Sequence, residues 1–145
     1  MVHREDDTLL RYLATALGAG TTAFGIWPAL APGAFARTFG LPMEGGAGAL
    51  AALRSVGVRD AVTGVGLMSA ALHGGKYAPW LLTRLLVDAG DALIMARTDM
   101  EEGASARRRA LGFLALGAAA IDGLLWGLAK RAARGEDRAD RALQG

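Results

Sequence analysis

Apolar residues dominate four stretches of the chain, and short polar or glycine-rich breaks separate them. No charged residue occurs between Tyr12 and Ala36. About 20 residues at 1.5 Å rise cross the hydrocarbon core of a bilayer, so this stretch is long enough to span one. The pattern predicts a first helix over 9–29, with Thr8 as its N-cap. Ala34-Phe35-Ala36 has the small-residue pattern of a signal cleavage site. The preceding Arg4-Glu5-Asp6-Asp7 is acidic, however, where a secretory signal is basic, so a retained span is the better reading.

Residues 32–46 contain Pro32 and Pro42, with Phe35, Phe39 and Leu41 set among small and polar residues. This segment reads as an interfacial connection with a short helical turn. Further helices are expected over 47–72, 78–97 and 107–129. Gly74-Gly75 breaks the second from the third, and Glu101-Glu102-Gly103 the third from the fourth, with Ser105 as a cap. The fold class is therefore all-α: a four-helix transmembrane bundle over 1–132 with a short interfacial segment between helices 1 and 2. A polar tail over 133–145 follows, either a solvated helix extension or disordered.

Composition strengthens this picture. The chain has 145 residues, 52% of them hydrophobic, with 21 glycines and only 6% aromatics. Small residues suit helices whose backbones approach closely in lipid. The net charge of +2 and the absence of an aromatic-and-basic stripe exclude a nucleic-acid surface. Without cysteine and with only two histidines, no thiolate, histidine-metal or haem site is expected, and no cofactor is implied. His73, beside Gly74-Gly75, reads as solvated. Trp27, Trp80 and Trp126 fall near helix ends and read as interfacial anchors. Basic residues flank the predicted helices on both sides. Arg4, Arg11, Lys76 and the tail outweigh Arg37, Arg97 and Arg107 to Arg109, which predicts a multi-pass protein of the cell membrane with both termini cytoplasmic.

The remaining charges are the informative ones. Arg54, Arg59 and Asp60 lie in the second helix, Arg84, Asp88 and Asp91 in the third, and Asp122 in the fourth. The helix midpoints fall at Arg59-Asp60, near Val87-Asp88, and near Ala118. A charge at mid-bilayer costs at least about 2.5–3.5 kcal/mol, so these groups should turn inward and pair. Antiparallel neighbours then predict three layers: Arg54 with Asp91, then Arg59, Asp60 and Asp88, then Arg84 with Asp122. Arg84, Asp88 and Asp91 share one helical stripe, as do Ser55, Arg59, Thr63 and Gly66. Gly57, Ala61 and Gly64 flank the latter and allow close packing, and Gly112 and Gly117 are read in the same way. Three arginines facing four aspartates leave one carboxyl unmatched, and such a group is expected to hold a proton.

The segments AFARTFGLP, RSVGVRDAVTGVGL and LLVDAGDALI carry a resemblance. In them, Phe39 to Pro42, Gly57 to Gly64, and Asp88 with Asp91 resemble small bacterial and fungal four-helix membrane proteins grouped as domain of unknown function 4267. The resemblance covers most of residues 10–130. It implies the fold and transfers no activity.

Three functions fit the pattern. The first is a membrane-embedded acid–base enzyme, such as an isomerase, a cyclase or an epoxide-opening enzyme, acting on a lipophilic small molecule. Asp60, Asp88 and Asp91 would move the proton with Arg59 beside them, and Arg54, Arg84, Asp122 and Thr63 would bind substrate. The second is a structural or partner-binding membrane subunit, in which the pairs only fix helix register. The third is a small proton-coupled transporter, assembled as a homo-oligomer. Membrane lipid is a partner in all three.

Overall fold

A computed structural model describes residues 2–42, 45–102 and 106–143, and these are almost wholly helical. Five helices follow one another: α1 (Val2–Leu30), α2 (Pro32–Phe39), α3 (Gly46–Leu72), α4 (Ala78–Glu102) and α5 (Ala106–Leu143). The four long helices predicted from the hydrophobic pattern are all present. Their ends differ at three places. α1 begins before Thr8, which is an interior residue and not an N-cap. An i, i+4 ion pair between Asp7 and Arg11 at 2.8 Å carries the helix through this polar start. α4 continues to Glu102, and α5 runs through the charged tail as one helix. Ser105 lies outside the described residues.

The short connection after α1 is a two-turn helix of its own. Pro32 supplies the fixed φ of a first turn, and Gly40 ends α2 at φ 65° with its N–H bonded to Ala36 O. Phe35 and Phe39 of α2 fold back onto Phe24 and Trp27 of α1, with ring centroids 5.4–6.3 Å apart. This aromatic cluster closes one end of the molecule.

The long helices associate as two pairs. α1 packs along α3 and α4 along α5, while α3 meets α4, and α1 meets α5, over shorter stretches. The α1–α3 pair is held by glycines. A Cβ on Gly57 would lie 2.5 Å from Gly25 O, and one on Gly64 would lie 2.6 Å from Gly18 O. The reciprocal distances, from Gly25 to Gly57 O and from Gly18 to Gly64 O, are 2.6 and 2.7 Å. Each helix thus presents two glycines one heptad apart, and the two backbones touch. Ala61 belongs to the same seam, since its N meets the Gly25 position. The equivalent reading of α5 is corrected: Gly117 faces open space, and Gly112 makes only an ordinary contact with Met95.

At the end opposite the aromatic cluster, Leu10, Ala14, Leu67, Ala71, Tyr77, Leu81, Leu125 and Ala129 form a buried core shared by α1, α3, α4 and α5. The ring of Trp80 lies over Gly66, where no Cβ could be accommodated. Among the described residues, two helices, over Asp7–Leu30 and Ala106–Gly135, are long and apolar enough to cross a membrane.

Candidate functional site

Between the two helix pairs lies a cavity of about 550 Å³. Leu17 and Phe24 of α1, Leu53 of α3, Ile94 of α4 and Leu114 of α5 supply apolar walls. Asp60, Arg84, Asp88 and Asp91 supply the polar one.

Arg59 organises the first of two charged centres. Its Nη1 and Nη2 donate to the two carboxylate oxygens of Asp91, at 3.1 and 2.5 Å. Its Nε and Nη2 donate to Asp60 Oδ1, at 3.0 and 2.9 Å. Two edges of one guanidinium therefore hold two carboxyls, one on its own helix and one on α4. About a third of the Arg59 side chain remains exposed.

Arg84 organises the second centre, and it is buried. Its Nη2 donates to Asp88 Oδ2 at 3.2 Å, one turn along α4. Its Nε donates to Asp122 Oδ1 at 3.1 Å, across to α5. Nε and Nη2 form one edge of the guanidinium, so two carboxyls meet where a single bidentate carboxylate would ordinarily lie. Asp122 is fully buried, and its Oδ2 has no hydrogen-bond partner among the described residues.

The predicted layers are met in part. Arg84 pairs with Asp122 as expected, and Asp88 joins them instead of the Arg59 layer. The expected Arg54–Asp91 pair does not form: Arg54 is exposed on α3, and Asp91 binds Arg59. Arg54 and Arg59 are five residues apart, which is about 140° of rotation around a helix, so only one of them can face the centre. The extension of α4 to Glu102 also moves its midpoint to Gly90, level with Arg59 rather than Arg54. Thr63 does not reach the cavity wall, because its hydroxyl donates to Asp60 O at 3.1 Å. Asp122 stands behind Arg84 and is likewise not part of the wall.

Two features escaped the sequence reading. One is a polar clasp at the end of the shared core, where the Tyr77 hydroxyl donates to Asp7 Oδ1 at 3.3 Å and Arg11 lies 5.1 Å above the Tyr77 ring. The other is the pairing of Gly18 and Gly25 with Gly64 and Gly57. Equal heptad spacing in both helices is the signal that would have found it. His73 is exposed, with Nδ1 2.9 Å from Ser69 O. Among the described residues, no group of three or more His, Cys, Asp or Glu could hold a metal ion.

The fold and site define a small all-α protein with hydrophobic helices, two arginine–aspartate centres and an apolar cavity between them. The chain belongs to the family described as Domain of unknown function (DUF4267), whose family model matches residues 18–129. No curated protein and no solved structure matches it.

Proposed function

We propose that α1, α3, α4 and α5 each cross a membrane, and that the cavity takes a lipophilic small molecule for acid–base chemistry. The observation that carries this reading is the meeting of an apolar cavity with convergent carboxyls held by guanidinium groups. Binding sites for small molecules are typically ~300–1,000 Å³, mostly apolar, with a few placed polar groups. The membrane part is supported by the outer surface. Val58, Val62, Leu86, Leu93, Leu116 and Leu124 are each more than half exposed, although they sit near the middle of their helices. Arg59, Asp60, Arg84, Asp88, Asp91 and Asp122 of the same helices turn inward instead, whereas Arg54, nearer the start of α3, is exposed. That arrangement suits lipid and is unfavourable in water.

The chemistry follows from charge and position. With Arg54 on the outside, two guanidinium groups face four carboxyls, so cations do not match every carboxyl. A carboxyl that holds a proton is a donor, and one that is ionised is an acceptor. Asp60, Asp88 and Asp91 all reach the cavity wall. One gives a proton to the bound molecule and another takes one, as isomerisation, cyclisation or epoxide opening requires. Arg59 and Arg84 fix their positions, and the apolar walls hold the rest of the molecule.

Incubation of protein-containing membranes with a host lipid extract in D2O tests this reading. In isomerisation or cyclisation, proton return at carbon leaves deuterium that does not wash out, so mass spectrometry should find a lipophilic species one mass unit heavier. Asp88→Asn and Asp91→Asn should each lower that incorporation by about tenfold or more. Equal incorporation with and without the carboxyls would overturn the reading.

An architectural role has one observation in its favour. Arg59 ties α3 to α4, where the two helix pairs otherwise touch little. In that case Asp91→Asn should lower stability and leave lipid composition unchanged.

A further inference from the structure

The Arg59 centre leaves a carboxylate oxygen unused on the cavity wall. Asp60 accepts both Arg59 bonds through Oδ1, and Asp88 accepts from Arg84 through Oδ2. Among the described residues no donor reaches Asp60 Oδ2, whereas Asp88 also shares a hydrogen bond with Asp122. Both residues face the cavity, together with Asp91, whose two oxygens are taken by Arg59. Among the described residues Arg84 is the only basic side chain lining the cavity, with Arg59 beside it on Asp60 and Asp91. Arg59 and Arg84 together face four carboxyls, so even with one of these holding a proton the polar side offers acceptors in excess of donors and negative charge in excess of positive.

Such a wall selects its occupant. A carboxylate or phosphate would bring acceptors and negative charge to a place already rich in both. An alcohol would satisfy one acceptor and leave the charge unchanged. An ammonium group carries three donors, no acceptor and one positive charge. Attached to an apolar body, it matches both parts of the cavity, and an alkylamine is protonated near neutral pH, like the lysine side chain at ~10.4.

We propose that the molecule taken by this cavity is a lipophilic amine. Its ammonium group lies between Asp60 Oδ2 and the Asp88 carboxyl, and its apolar body lies among Leu17, Phe24, Leu53 and Leu114. The proposal rests on the cavity being a small-molecule site and adds the charge of what enters it.

Three probes of equal chain length separate the alternatives: decylamine, decanol and decanoic acid. Each is titrated into the purified protein in an uncharged detergent at neutral pH, and binding is read from tryptophan fluorescence and from the shift in Tm. Decylamine should bind at least about tenfold more tightly than decanol, the usual scale for a charge-assisted hydrogen bond. Decanoate should give no saturable signal. Asp60→Asn should remove most of the preference for amine over alcohol, and Asp88→Asn provides the same reading if Asp60→Asn does not fold. Gly20→Leu should abolish amine binding while the protein still folds. Gly20 lines the cavity, and a Cβ there meets nothing within 4 Å.

Equal binding of decanol and decylamine would overturn the amine assignment and leave the cavity as a small-molecule site. Tighter binding of decanoate, or an amine preference unchanged in both Asp variants, would also overturn it. No saturable binding of any probe would remove the small-molecule reading as well.

Discussion

Arg59 and Arg84 each hold two aspartates, but they hold them differently. Arg84 uses one edge for Asp88 and Asp122, inside the closely packed α4–α5 pair, where the guanidinium and Asp122 are almost out of reach of solvent. Arg59 uses two edges for Asp60 and Asp91, across the looser seam between helix pairs, and remains about a third exposed. Burial and location divide the work. The Arg84 centre fastens two helices and leaves Asp88 at the wall. The Arg59 centre joins two preassembled pairs and leaves Asp60 and Asp91 open to whatever occupies the cavity. A buried ion pair is costly to break because the remaining partner keeps its desolvation penalty, whereas a half-open pair can recruit water or ligand.

The largest expected effect therefore belongs to Arg84. Arg84→Met leaves Asp122 buried without a cation and should lower stability by about 3–5 kcal/mol. Thermal unfolding in detergent measures this. Arg84→Met combined with Asp88→Leu and Asp122→Leu should recover much of the loss, since apolar residues of similar volume often replace buried ion clusters without cost.

Next is the glycine seam, which acts on the Arg59 centre from behind. Gly64→Val pushes α3 away from α1, because the new Cβ meets Gly18 O and Thr22. The expected loss is about 1–3 kcal/mol, the range for overpacking. Arg59 should move relative to Asp91 while the α4–α5 pair stays intact. Distance measurements between spin labels on α3 and α4, compared with α4 and α5, distinguish the two movements.

Arg59→Gln should cost less, about 1 kcal/mol, because water reaches the carboxyls it leaves behind. The same thermal unfolding assay checks it, and a loss as large as that of Arg84→Met would abolish the contrast between the centres. The smallest effect is expected at Arg54. It is exposed and outside both centres, so Arg54→Ala should stay within about 0.5 kcal/mol of the parent.

The division between the centres was only half visible in the sequence. The long helices were legible because prolines and Gly74-Gly75 punctuate strongly apolar runs. Arg84 with Asp122 was legible because it follows from helix direction alone, whereas Asp88, expected in the Arg59 layer, pairs with Arg84 one turn away on its own helix. Arg59 with Asp91 was not, because its register depends on where α4 ends, and the helix continues through Glu101-Glu102 beyond the apolar stretch. A shift of two or three residues moves a side chain by most of a turn and exchanges one arginine for another. The start of α1 was missed in part for a similar reason: beside the local Asp7–Arg11 pair, Tyr77 holds both residues through contacts that are distant in sequence. Gly57 and Gly64 announced a close approach, but their partners on α1 became evident only when the antiparallel pairing was known.

The account depends most on the charges turning inward while the apolar faces meet lipid. The chain contains no cysteine, so single cysteines at Val58, Leu93 and Leu124 can each carry a spin label without further changes. Reconstituted in liposomes, all three labels should be relaxed strongly by oxygen and scarcely by a water-soluble nickel complex. Strong relaxation by the nickel complex at these positions would mean that water surrounds the helices, and would contradict the account.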